Sequence, residues 1–319
     1  MNQANNHHNR EMPPGSESSS FVGSSSSPLS TTPWPQTNGN TGERYLVPIF
    51  AGGGTRLPAH IGILQALHDL EVHFDHLVGV SGGSIISSLY ASGLSLDTIK
   101  GIALDTDFEQ FKGFSLLSLL RNGGLCSGDK FEAWLDHQLG GKRFADLPIN
   151  LHVVATDVRS GTPVVFDALN TPNEKVSRAV RFSMSIPLIF AFKPYENHLM
   201  VDGSILSEDA LHQDWAENGT PVICFRLRGD GDTHPINTNK LFPLASYISL
   251  LIRTFMTTIS REYVNEKFWH RTIVVNTGNT SPVDFHMSME DKKRLYTIGY
   301  DTAVNVVPLK IWQQPQQKK

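Results

Sequence analysis

The order of apolar segments predicts an α/β fold of three layers, a mainly parallel central sheet flanked by helices. Two observations carry that expectation. Residues 45–91 alternate strand-like and helix-like runs in the order strand, helix, strand, helix, a βαβα pattern that requires parallel neighbours with helices covering the sheet. Both strand-like runs end in glycine, at Gly52-Gly53-Gly54 and within Gly79-Val80-Ser81-Gly82-Gly83, where the chain must turn sharply into the next helix.

Residues 45–50 read as the first buried strand, running straight into the glycine turn. Residues 59–70 follow as a helix, with Ile61, Leu64, Leu67 and Leu70 at helical spacing. The second strand is 76–80 and the second helix 82–91; a third helix, 96–106, opens on Ser95 as its cap. Residues 129–139 place Phe131, Trp134 and Leu135 on one side of a helix. Residues 150–156 and 162–166 alternate like two strands around the turn-forming stretch 157–161. A helix over 175–185 ends before Pro187, which disfavours helical backbone in the residue ahead of it. Further strands are expected at 198–201, 221–227 and 272–276, and long helices at 244–268 and 289–306. With no repeat and no long linker, residues 45–312 read as one domain between a tail of 1–44 and a polar end of 313–319.

The chain of 319 residues is 39% hydrophobic, enough for a sizeable core. Its formal charge of -4 gives no basic field, so nucleic acid is not an expected partner. The two cysteines, Cys126 and Cys224, lack metal-site spacing and read as reduced thiols. Residues 1–44 are rich in Ser, Asn, Pro and Gly and bury too little apolar surface to offset the entropy of ordering. They also lack a basic start followed by an apolar stretch, so no Sec signal is expected. The expectation is a cytoplasmic protein, with export by a specialised bacterial secretion system as the second reading of the tail. Residues 241–252 are apolar, but Arg253 stops the run short of the roughly 20 residues that span a bilayer. Residues 114–120, flanked by Lys112 and Arg121 and followed by Gly123-Gly124, have two readings: core packing, or a lid that meets a lipid surface.

The chemistry concentrates at Ser81. A serine between a strand and a helix, with Gly79, Gly82 and Gly83 around it, has the form of a nucleophile elbow, its hydroxyl at the positive end of the helix. Serine needs a base within hydrogen-bond reach. Asp202, which ends the apolar run 199–201 and precedes Gly203, is the candidate, provided burial raises its pKa. The plain alternative for Asp202 is a turn aspartate capping Gly203. Arg56, beside the first glycine run, would position an anion or pair with a carboxylate at the surface.

Gly52 to Arg56, Gly79 to Gly83, Met184-Ser185-Ile186-Pro187 and Asp202-Gly203, in that order, resemble the patatin-like phospholipases over about residues 45–310. The resemblance implies the three-layer patatin-like fold and a Ser81–Asp202 dyad that forms an acyl-enzyme. It implies an oxyanion hole from the N–H groups of Gly52, Gly53 and Gly54. It also implies a phospholipid or other acyl-lipid substrate, peripheral membrane contact, a phospholipase A or lysophospholipase activity, and no cofactor or calcium. Two positions depart from the family pattern. Leu57-Pro58 follow Arg56 where many relatives have glycine, although Pro58 suits a first helical turn. Ser204 follows Asp202-Gly203, where Gly or Ala is frequent.

Other readings stand beside this one. Acyl transfer to an alcohol would use the same dyad, and a non-catalytic lipid-binding protein would retain the fold. A Ser81–Asp202–His triad with His212, His270 or His286 matches the chain order of α/β-hydrolases. Against it, only one strand precedes the elbow's own strand here. A nucleotide site lacks the G-x-G-x-x-G spacing and the P-loop lysine, and without an H-E-x-x-H pair no metal is expected.

Overall fold

The computed structural model describes residues 44–111, 123–205, 213–230 and 266–312, with a few isolated positions between them. Five parallel strands form the centre: β1 (Val47–Ala51), β2 (His76–Val80), β4 (Asn150–Asp157), β9 (Val222–Arg228) and β10 (Thr272–Asn276). Three antiparallel strands complete the sheet: β5 (Thr162–Phe166), β7 (Lys193–Tyr195) and β8 (His198–Val201). The order is β10-β9-β1-β2-β4-β8-β7, with β5 on the other edge of β4. A separate pair joins β3 (Gly124–Cys126) to β6 (Leu188–Phe190).

Alternation along the strands sorts the core into two faces. Phe50, Leu77, Val153 and Phe225 belong to one cluster, with α1 (Leu57–Asp69), α2 (Gly82–Ala91) and α6 (Met289–Trp312). Ile49, Val78, Val154 and Cys224 pack on the other face around Trp215. The remaining helices are α3 (Leu96–Asp105), α4 (Asp129–Gln138) and α5 (Val176–Ser183). Ser95 caps α3 as expected, its side chain accepting the N–H of Thr98 at 3.2 Å. Cys126 and Cys224 are both buried and form no disulfide. Among the described residues, no helix is long and apolar enough to cross a membrane.

Several expectations are corrected. Helix α1 starts at Leu57, with Pro58 in its first turn where no N–H is missed. Helix α6 runs past Pro308 to Trp312 instead of stopping at 306. Burial of Val307 and Ile311 against the core outweighs the backbone bond that the proline forfeits. Residues 266–268 belong to the 3-10 turn Glu266–Arg271, not to a long helix, and most of 244–268 lies outside the described residues. Gly124, which follows the stretch read as core or lid, pairs with Leu188 in a strand, where a Cβ would sit 2.1 Å from the Phe190 carbonyl carbon. The segment 114–120 falls almost wholly outside the described residues.

Helix α2 crosses β1 so closely that a Cβ on Gly83 would lie 2.1 Å from the Phe50 carbonyl oxygen. Gly83→Ala should therefore destabilise the protein by roughly 3 kcal/mol, the upper part of the overpacking range. In α3, a Cβ on Gly101 would meet nothing within 4 Å, so Gly101→Ala should stabilise by about 0.5–1 kcal/mol. Urea denaturation of the two variants checks both signs.

Candidate active site

Ser81 sits where β2 stops and α2 begins, at φ 53 and ψ -132. Such angles cost a non-glycine residue about 1–3 kcal/mol and persist only where the surroundings hold them. Here Ser183 does so: its hydroxyl accepts the Ser81 N–H at 2.9 Å and donates to the Val154 carbonyl at 2.6 Å. The Ser81 carbonyl in turn accepts the Ser84 hydroxyl at 2.6 Å.

Asp202 reaches Ser81 through sheet topology. Strand β4 pairs with β2 only as far as Val154, opposite Val80, and then continues to Asp157. The space left beside it when the chain turns at Ser81 is taken by β8, with Val201 opposite Thr156. The next residue, Asp202, therefore arrives at the end of β2. Its main chain is held at both ends, N–H to the Ser185 carbonyl at 3.0 Å and carbonyl to the Thr156 hydroxyl at 3.0 Å. Ser81 Oγ donates to Asp202 Oδ2 at 2.6 Å, and the Ser204 N–H donates to Oδ1 at 2.8 Å. Gly203 is required by close approach, since a Cβ there would lie 2.1 Å from the Val154 carbonyl oxygen.

Both Ser81 and Asp202 are 2% exposed. Desolvation raises the Asp202 pKa from 3.8 to about 6, against the pull of its hydrogen bonds from Ser81 and Ser204. A carboxylate in that range is a usable base at neutral pH.

The glycine turn after β1 is fastened from behind. Gly52 gives its N–H to the Val80 carbonyl at 3.1 Å, and its carbonyl accepts the Gly83 N–H and His60 Nε2, each at 3.1 Å. Gly52 thus shapes the loop but has no N–H to offer an oxyanion, a correction to its expected place in the hole. The N–H groups of Gly53 and Gly54 bond to no acceptor among the described residues. Gly54, at φ 54, also packs so tightly that a Cβ would fall 1.9 Å from the Pro282 carbonyl oxygen.

Arg56 fits neither expectation for it. It is 1% exposed, and its Nε donates to the Gly53 carbonyl at 3.1 Å while Nη1 donates to Thr277 Oγ1 at 2.8 Å. Burial lowers its pKa to about 10. It braces the glycine loop from behind, with no surface carboxylate as partner. His60 does similar work from one turn into α1. Burial lowers its pKa to about 4, so the ring is neutral and the proton on Nε2 goes to the Gly52 carbonyl. His60 and Ser183 were not singled out in the sequence. Their signals were a histidine in an otherwise apolar helical stretch and a serine directly before Met184-Ser185-Ile186-Pro187.

Gly54, Ser81 and Gly82 open onto an apolar cavity walled by Phe111, Phe131, Ile186, Phe190 and Phe285. A larger groove, lined by Arg44, His73 and Asp75 among others, lies at the opposite end of the strands and holds no part of this chemistry. Of the triad histidines, the two that are described do not converge on Ser81. His270 precedes β10 at the N-terminal end of the sheet, His286 Nε2 pairs with Glu109 at 3.0 Å, and His212 lies outside the described residues.

A hydroxyl held against a buried carboxylate beside an apolar cavity suits the cleavage of a lipid ester, and the class is that of the lipid ester hydrolases. The profile described as patatin-like phospholipase matches residues 49–215. The chain belongs to the patatin-like phospholipase family. It is 26% identical over 272 residues to an uncharacterized protein, R571, of Acanthamoeba polyphaga mimivirus, covering 78% of this chain and 89% of that one. Neuropathy target esterase sws of Drosophila melanogaster is 28% identical over 199 residues, which are 59% of this chain and 13% of that protein. An uncharacterized NTE family protein of Mycobacterium tuberculosis is 29% identical over 187 residues, 58% of this chain and 30% of its own length. The chain thus spans only a minor part of these last two relatives. VipD of Legionella pneumophila shares the fold, with a TM-score of 0.56 at 16% identity over 84% of this chain and 67% of that one.

The raised pKa of Asp202 has a consequence for stability. At low pH the carboxyl is protonated in folded and unfolded chains alike. As pH rises from 3.8 to about 6 the unfolded chain releases its proton first, so native stability falls by on the order of 3 kcal/mol and stays lower above that window. Asp202→Asn removes this loss. Its melting temperature relative to the unmutated protein should rise between pH 4 and pH 8; a difference that stays flat or falls would contradict the burial of a strained charge.

Proposed function

We propose that the protein is a serine lipid acyl hydrolase of phospholipase A or lysophospholipase type, with Ser81 as nucleophile and Asp202 as its base. The observation that carries the reading is the 2.6 Å bond from Ser81 Oγ to Asp202 Oδ2 in a site closed to water and open to an apolar cavity. With Asp202 ionised, the Ser81 proton moves to Oδ2 as Oγ attacks the acyl carbonyl carbon. The carbonyl oxygen becomes an oxyanion, towards which the Gly53 and Gly54 N–H groups donate at the positive end of α2. Collapse of the adduct breaks the ester bond, and the proton on Asp202 goes to the departing alcohol. Acyl-Ser81 remains, its hydrocarbon among Phe111, Phe131 and Phe190. Water then attacks while Asp202 takes its proton, and the fatty acid leaves with Ser81 Oγ reprotonated.

The apolar lining beside Ser81 supports the substrate class: an acyl chain gains roughly 0.8 kcal/mol for each methylene it buries against such a wall, whereas a charged group would be stranded. Because such substrates reside in aggregates, the protein must meet a lipid surface. Residues 114–120 are the stretch proposed for that contact.

The test is product analysis by mass spectrometry on vesicles of mixed phospholipids and lysophospholipids. Fatty acid and the matching lyso-product or glycerophospho-alcohol should appear, and Ser81→Ala or Asp202→Asn should lower the rate on the order of 10⁴-fold or more. Activity (kcat/KM) should rise with pH through about 6 as Asp202 ionises. His212→Ala, His270→Ala and His286→Ala should retain most activity. A loss of several orders of magnitude at any one of them would replace the dyad with a triad.

A further inference from the structure

Arg181, on the last turn of α5, is fully buried, yet it touches neither Ser81 nor the carboxylate of Asp202. Burial lowers its pKa, with Cys126, Glu132 and Asp129 acting in the other direction. A buried guanidinium persists only where its donors find acceptors. Nη2 donates to the carbonyls of Ser127 and Ala191, at 2.5 and 3.1 Å, and Nη1 donates to Ser185 Oγ. The Phe190 ring lies under the guanidinium at 4.9 Å, and Nε has no partner. Among the described residues no carboxylate bonds to it: Asp129 and Glu132 pair with Lys193 at 2.5 and 2.9 Å.

The acceptors lie on three chain segments that meet at the site. Ser185 returns a hydrogen bond from its hydroxyl to the Arg181 carbonyl at 2.7 Å, and its own carbonyl receives the Asp202 N–H. Ala191 follows Phe190, a wall of the apolar cavity, and Ser127 follows β3, the strand paired with β6. The chain also leaves room for this side chain. A Cβ on Gly128 would lie 2.0 Å from Arg181 Nε.

We propose that Arg181 is a positioning residue for the reaction, its planar fork tying Ser127, Ser185 and Ala191 into one rigid unit that sets the Asp202 main chain and the acyl-chamber wall. Lysine's three donors radiate from one nitrogen and cannot span acceptors that the guanidinium reaches from two separate nitrogens in a fixed plane. This inference rests on the reading of Ser81 and Asp202 as nucleophile and base. The Asp202 pKa is raised by desolvation and carries no contribution from a charged neighbour. A loosened clamp that admits water should therefore lower it.

The test uses the full-length protein and a soluble short-chain ester, with melting temperature and circular dichroism as checks of folding. Arg181→Lys should lower kcat by roughly 10²-fold, the effect expected of a misplacement near 1 Å, with KM changed less than about threefold. The acid limb of its pH profile should move from about 6 towards about 4. Ser185→Ala removes one acceptor of the clamp while keeping the carbonyl that holds Asp202. It should move kcat and the acid limb in the same directions, with kcat down roughly tenfold, and it decides the matter if Arg181→Lys does not fold. Folded variants with kcat and acid limb unchanged, or with a change in KM alone, overturn the proposal. Ser81→Ala separates the two readings. If it stays active the dyad falls and this inference with it, whereas an inactive Ser81→Ala beside unaffected clamp variants defeats the role of Arg181 alone.

Discussion

The buried hydrogen bond between Ser81 and Asp202 is the constraint around which the rest of the site is built. Neither side of it is comfortable. Ser81 holds a backbone conformation that L-residues avoid, and Asp202 is a carboxyl with no cationic partner in a dry setting. Both are tolerated because the sheet over-determines their positions. Strand β8 fills the space beyond the end of β2, and the hydroxyls of Ser183 and Thr156 anchor the two main chains. The same lack of compensation that lowers stability raises the carboxyl's pKa, as the proposed role of base requires.

The glycine loop follows a complementary logic. Its carbonyls are occupied by His60 and Arg56, and the Gly52 N–H by Val80, while the N–H groups of Gly53 and Gly54, the donors of the proposed oxyanion hole, bond to no acceptor among the described residues. Donors fixed in advance need no reorganisation when negative charge develops. Arg56 and Arg181 are alike in how they are held. Each is a buried cation whose donors go to backbone carbonyls and hydroxyls, and among the described residues neither forms an ion pair.

Much of this was legible in the sequence, and for identifiable reasons. The parallel strands 76–80 and 272–276 are short apolar runs with clear boundaries, and both were read correctly. Ser81 and Asp202 were legible because each ends such a run beside glycine. What escaped was set by contacts distant in the chain. The pair β3 and β6 exists because Gly124 admits the Phe190 backbone, a fact about packing that no local period reveals. Helix α6 outruns Pro308 because the core rewards Ile311. The Gly52 N–H is spent on β2, and Arg56 turns inwards to Thr277, a residue more than two hundred positions away.

The central claim, that Ser81 carries the acyl group and Asp202 moves the proton, is tested most directly by trapping the intermediate. Rapid mixing with a long-chain p-nitrophenyl ester, acid quenching and peptide mapping by mass spectrometry would locate the adduct. The account predicts one acyl group on the peptide containing Ser81, formed far more slowly in Asp202→Asn. An adduct on any other residue, or turnover with no covalent adduct, would contradict it.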